Sequence, residues 1–226
     1  MGIKTVLAAC TVVLSVAGIA GAWGIPTIPG VTSASSSSSY GDPDAFLAKA
    51  RNAEALIDRS ADSLFKAVAS KEEQAKMEEL QKKLNETTDD KEKNALRQQI
   101  TESEMATIEK QAKDKQVQEQ AKKWDAKKKK HVATAFYNFS LGALQAALLV
   151  PEGTNLANSI SSNPVNAVRL AFKITSIWDS IKAIKGILVN TGSVIGALKP
   201  LMSAANIEVK SPSTATETPK DAKDEL

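Results

Sequence analysis

The run KKKKHVATAFYNFSLGALQAALLV, residues 127–150, decides how this chain is read. Four lysines and the single histidine, His131, close a long stretch rich in Lys, Glu and Gln. An apolar segment, Val132–Val150, follows at once. The part before the junction carries too few apolar residues to be covered on more than one side. The part after it, to about residue 209, is apolar enough to bury.

Upstream, three helices are expected. Ala45–Ala69, with Asp44 as its cap, carries Phe46, Ala50, Ala53, Ile57, Ala61, Leu64 and Val68 at spacings of three and four, one stripe that needs a partner. Ser70 and Glu73 form a capping box, so a second helix runs from Lys71 to about Asn85 with Met77, Leu80 and Leu84 inward. Asp89 and Glu92 open a third, read as one long helix over Asp90–Lys130. Its buried set is thin: Leu96, Ile100, Ile108, Ala112 and Ala121, with Met105 and Trp124 adding to it. Such a helix packs on one side or projects into water.

Downstream, Pro151-Glu152-Gly153 is expected to end the apolar helix. Asn163-Pro164 opens the next, Val165–Val189, with proline where its missing N–H costs nothing. Leu170, Ile174, Ile177, Ile181, Ile184 and Leu188 alternate at four and three residues, a heptad seam widened by Val168, Phe172 and Trp178. A groove ligand or partner helix would use that seam. Asn190-Thr191-Gly192 should break the helix, and Pro200 should bend the last one, Ser193–Ala205. The fold class expected is all-α: a bundle of five or six helices spanning 44–209, with a charged helical arm or hairpin over 71–130 and an apolar part over 131–209. The Ser/Thr/Pro/Lys-rich tail, 210–226, is expected to be disordered.

The start of the chain reads as a secretory signal peptide over residues 1–22. Lys4 precedes an apolar run from Thr5 to Ile19, and Ala20-Gly21-Ala22 supplies small residues for cleavage between Ala22 and Trp23. A Gly/Pro/Ser-rich linker follows over 23–43. Cys10, the one cysteine, leaves with the leader, so disulfides and cysteine-held metal are not expected in the mature chain. The localisation expected is export, to the periplasm or beyond.

The chain has 226 residues, 29 Lys+Arg against 26 Asp+Glu, and a formal net charge of +3, too little by itself to argue for nucleic acid. Catalytic chemistry is not visible. One histidine builds no usual transition-metal site, and no Gly-rich phosphate loop or nucleophile elbow occurs. Close carboxylates such as Glu72 and Glu73 read as solvated charge. No enzyme, no cofactor and no metal is expected. Lys122, Lys123 and Lys127, Lys128, Lys129, Lys130 form the densest basic patch. It suits anionic lipid headgroups or another polyanion, or else simply a helix C-terminus, whose dipole favours cations. The closing Lys223-Asp224-Glu225-Leu226 has the form of a retrieval signal and carries weight only in a eukaryotic secretory protein.

A charged stalk, a basic collar and an apolar hairpin in this order resemble the layout of α-helical pore-forming toxins, in layout and not in motif. That resemblance implies insertion of 132–150 into a membrane. Against a permanent span stand Asn138 and Gln145, seven apart on one face. Two functions are therefore expected in turn. The first is an exported, non-enzymatic helical protein with a structural or binding role toward a protein or apolar ligand. The second is a membrane-active helical protein. A eukaryotic luminal protein is a third. Peripheral contact with anionic membrane fits the lysines, nucleic acid does not, and self-association stays open.

Overall fold

The computed structural model describes residues 41–221. The signal peptide, its Ala22–Trp23 cleavage site, most of the linker and the last five residues lie outside the described residues. Among those described, all regular structure is helical. Seven helices follow in order: α1 (Pro43–Val68), α2 (Lys71–Glu86), α3 (Asp90–Lys113), α4 (Lys115–Ala121), α5 (Ala126–Ser161), α6 (Pro164–Arg169) and α7 (Ala171–Ala204).

α5 is the central strut. It packs on α1 along one flank and on α7 along another. Two glycines permit the close approach. A Cβ at Gly142 would lie 2.8 Å from Ile57 Cγ1 and 3.3 Å from the Ala53 carbonyl oxygen. One at Gly153 would lie 2.5 Å from Phe46 Cζ. The alanines of the α1 stripe, Ala50, Ala53 and Ala61, are small for the same reason and are fully covered. Phe136, Phe139, Ile177, Ile181, Ile184 and Leu198 fill the interior between these helices. α3 lies against α1 and α7, with Ile100, Met105, Ile108 and Ala112 inward, and α2 packs on α3.

Several boundaries differ from those read in the sequence. Asp42, not Asp44, caps α1: its side chain accepts from the Asp44 N–H at 2.9 Å, and Pro43 takes the first helical position. The capping box of α2 forms as read. The long helix expected over 90–130 is interrupted twice. Asp114 ends α3 and caps α4 through the Gln116 N–H at 2.6 Å. Asp125 caps α5 through the Lys128 N–H at 2.7 Å. Short carboxylates offer the backbone a bond that competes with the helical ladder, and both breaks fall on one.

α5 does not stop at Pro151-Glu152-Gly153. Pro151 and Glu152 are exposed and Ala147 is half-buried, so the carbonyl left without its partner faces the wet side. Thr154 also donates to the Val150 carbonyl at 2.8 Å. α7 likewise runs through Asn190-Thr191-Gly192, where buried Thr191 donates to Ile187 O at 2.8 Å. It runs through Pro200 too, which sits on the solvent side above exposed Gly196. The helix expected over 165–189 breaks instead at Leu170, with φ −110° and ψ 16°. α7 ends in a Schellman turn on Asn206, at φ 54°, where Ile207 N–H reaches Met202 O at 2.8 Å.

Residues 213–220 form no helix but hold a defined path along the outer side of α5, set out below.

Candidate functional site

The α5–α7 turn exposes an apolar cap. Asn163 starts α6 by accepting from the Val165 and Asn166 N–H groups at 3.0 and 3.2 Å. The break at Leu170 then sets α6 apart from α7. On the outward side, Val165, Val168 and Phe172 recur at three and four residues and are 75%, 83% and 84% exposed. The sequence reading placed Val168 and Phe172 in a widened core seam; the structure turns them to solvent. Removing such side chains from water contributes about 1.5–3 kcal/mol apiece. Arg169 and Lys173 border the cap, and Lys173 is ion-paired with Asp44.

The heptad seam faces the protein's own interior. Ile177, Ile181 and Ile184 are buried, and Leu170, Ile174 and Leu188 are half-buried against the same core. It is therefore already occupied, and no open groove along it awaits a helix.

The basic patch divides. Lys122 and Lys123 follow the end of α4, where cations are favoured. Lys127–Lys130 stand in the opening turns of α5, at the positive end of its dipole, so a helix C-terminus does not account for them. Lys122 pairs with Glu119 at 2.6 Å, and Lys128 lies 4.8 Å from the centre of the Trp124 ring. Burial lowers the Lys128 pKa, opposed by Asp125. A helix of 36 residues is about 54 Å long at 1.5 Å per residue, so this cluster and the apolar cap mark opposite ends of α5. The lysines are no collar around the cap.

The tail grips α5 through polar atoms. Asn138 reads the backbone of Lys220 in both directions: its Nδ2 donates to the carbonyl and its Oδ1 accepts from the N–H, each at 2.8 Å. Gln145 Nε2 donates to Ala215 O at 2.9 Å. The Tyr137 hydroxyl donates to Glu217, and Lys220 Nζ sits 3.7 Å from the centre of the Tyr137 ring. The other Glu217 oxygen accepts from the Ser213 and Thr214 N–H groups at 2.5 and 2.8 Å, closing the tail into a hook. These bonds, Tyr137 first, hold the Glu217 carboxyl below its ordinary pKa and raise that of Tyr137. Asn138 and Gln145, which in the sequence argued only against a span, thus serve as docking points. A side chain–backbone bond contributes about 1 kcal/mol net.

Between α1 and α3 lies an acidic cluster the sequence did not disclose. Asp58 and Asp62 on α1 face Glu104 on α3, which is 2% exposed, and Thr101 Oγ1 donates to Asp58 at 2.9 Å. Burial, then Asp62 and Asp58, push the Glu104 pKa up to about 8. Burial also raises Glu54 and Asp58. Periodic spacing could have placed Glu54, Asp58 and Asp62 on one face, but only the position of α3 makes them neighbours of Glu104. Among the described residues, no three His, Cys, Asp or Glu side chains are grouped to hold a metal ion.

α5 and α7 are both long and apolar enough to cross a membrane by length and composition, although 61% of the α5 window is buried inside the protein and only 39% of the α7 window. No protein-family model, curated protein or solved structure matches this chain.

Proposed function

We propose that this is an exported, non-catalytic helical protein that acts at a membrane surface, docking through the Val165–Val168–Phe172 cap. The observation that carries this is the exposure of those three side chains at the turn joining the two most apolar helices. Apolar residues scattered singly need no explanation, but three large ones exposed within eight residues, on α6 and the first turn of α7, do. The border of Arg169 and Lys173 suits anionic headgroups. In this reading the helices act as one bundle, α2 and α3 are its charged side, and the segment 132–150 is the scaffold behind the cap rather than the inserting element. A soluble partner protein is the alternative occupant of the cap.

Co-sedimentation of the full chain with anionic and neutral vesicles tests this. Phe172→Asp and Val168→Asp are compared with the unaltered chain, so any contribution from residues 5–19 is common to all. The cap accounts for binding if both variants lose it while keeping their helical circular dichroism. Equal binding by all three chains rejects the cap as the docking element.

A further inference from the structure

α5 carries a second apolar row that the core does not use. Tyr137, Leu141, Leu144 and Leu148 recur at four, three and four residues, on the side of the helix opposite Ala135, Phe139 and Ala146. A helix covered on one side by its own fold ordinarily turns polar residues outward. Here Tyr137 and Leu141 are buried all the same, although neither belongs to the central cluster. The tail lies over Tyr137, which Glu217 and Lys220 meet, and is held on either side of Leu141, at Asn138 by Lys220 and at Gln145 by Ala215. Leu148, three residues past Gln145, the last position the tail grips, is 43% exposed.

The tail carries no large apolar side chain between residues 213 and 220. Its hold is made of side chain–backbone bonds, one hydroxyl–carboxylate bond and the Lys220 ammonium over the Tyr137 ring, and Ser213, Thr214, Thr216, Thr218 and Pro219 face water. We propose that residues 213–220 are a latch, and that the Tyr137–Leu148 row is a second lipid-contacting surface uncovered when the latch lets go. This rests on the membrane reading above. The row suits the interfacial zone of an anionic bilayer. A tyrosine stands at one end, the amides of Asn138 and Gln145 lie along the flank, and Lys127 and Lys130 fall on the same side of α5 upstream. Held shut, the latch keeps the protein dispersed; at a membrane, lipid competes for the face that the tail covers.

The test uses the full chain. Glu217→Ala removes the hook's own bonds and the bond from the Tyr137 hydroxyl, and touches no residue of the central core. Gln145→Cys with Ala215→Cys, in a Cys10→Ser background, is oxidised, and the chains in which mass spectrometry finds the disulfide carry the latch locked until reduced. Hydrogen exchange at the Lys220 amide reads the latch, and co-sedimentation with vesicles of phosphatidylglycerol and phosphatidylcholine reads the surface. Expected are about tenfold faster exchange in Glu217→Ala, more vesicle-bound protein, and low binding by the locked chain that reduction restores. Faster exchange with unchanged binding overturns the latch while leaving the cap standing if the unaltered chain binds. Self-association of Glu217→Ala in place of vesicle binding assigns the row to a second copy and overturns the lipid surface. No vesicle binding by any chain overturns both. Unaltered exchange in Glu217→Ala shows that the hook does not hold the tail, and overturns the latch as built.

Discussion

Phe136, about three turns into α5, and Phe172, in the first turn of α7, lie on the two long apolar helices, yet one is 0% exposed and the other 84%. Their local sequences do not separate them, since each has apolar neighbours at helical spacing. Phe136 has α1 and α7 to pack against, because Gly142 and Gly153 let those helices come close. Phe172 lies just past the break at Leu170, where α7 has turned its outer side away from every neighbour. Apolarity marks a side chain as able to be buried. The backbone approach of another helix decides whether it is.

The sharpest way to break this comparison is to shorten both residues. Phe136→Ala is expected to cost about 3–5 kcal/mol of stability, the usual penalty for emptying a buried aromatic site. Phe172→Ala should stay within about 0.5 kcal/mol, as an exposed position does. Urea titrations of both chains check this, and equal losses would show that the cap is covered in solution.

A third region, the α1–α3 contact, sets a polar interior against the apolar α1–α5 contact. Burial, then the nearby Asp62 and Asp58, push the Glu104 carboxyl up to about 8 in the folded chain. The folded state therefore holds a proton that the unfolded state releases. Its contribution to stability is full below the unfolded pKa and is lost as pH rises toward 8, by at most about 1.4 kcal/mol per pH unit. Glu54 and Asp58 are shifted the same way. Melting temperature should thus fall between pH 5 and pH 8, and Glu104→Gln should flatten that fall. A melting temperature that rises over this range in the unaltered chain and does not change slope in Glu104→Gln would remove Glu104 from the account.

Gly142→Ala sharpens the same contrast from the apolar side. Its Cβ would meet Ile57 N at 3.2 Å as well as the Ile57 side chain, and backbone yields little. A loss of about 1–3 kcal/mol is expected by denaturant titration. Gly186→Ala, with nothing within 4 Å of its Cβ, should be neutral or slightly stabilising, as alanine favours the helix by up to about 1 kcal/mol.

How much of this was legible in the residues follows from what each feature depends on. The all-helical class, the α1 stripe from Phe46 to Val68 and the Ser70–Glu73 box are local patterns, and they could be read. The breaks at Asp114 and Asp125 could also have been read, as aspartates that precede helical residues. The passage of α5 through Pro151 could not, because it depends on which side of the helix meets water. The heptad from Leu170 to Leu188 was visible, but its spacing alone does not decide between an outside partner and the chain's own helices 45–69 and 132–150 as what fills it. The cap escaped because Val168 and Phe172 look like seam residues until the break at Leu170 is known. The tail escaped because its hold lies in backbone atoms, which composition does not show. Asn138 and Gln145 were the one available sign, amides at heptad spacing in an apolar run.

The measurement that bears most directly on the cap uses one environment-sensitive label at two places. In a Cys10→Ser background, Val168→Cys carries the fluorophore in one chain and Lys82→Cys, on exposed α2, carries it in the other. With anionic vesicles, a blue shift and brightening at position 168 and none at position 82 is the predicted result. No change at 168 in a chain that sediments with the same vesicles would contradict docking through the α6–α7 cap.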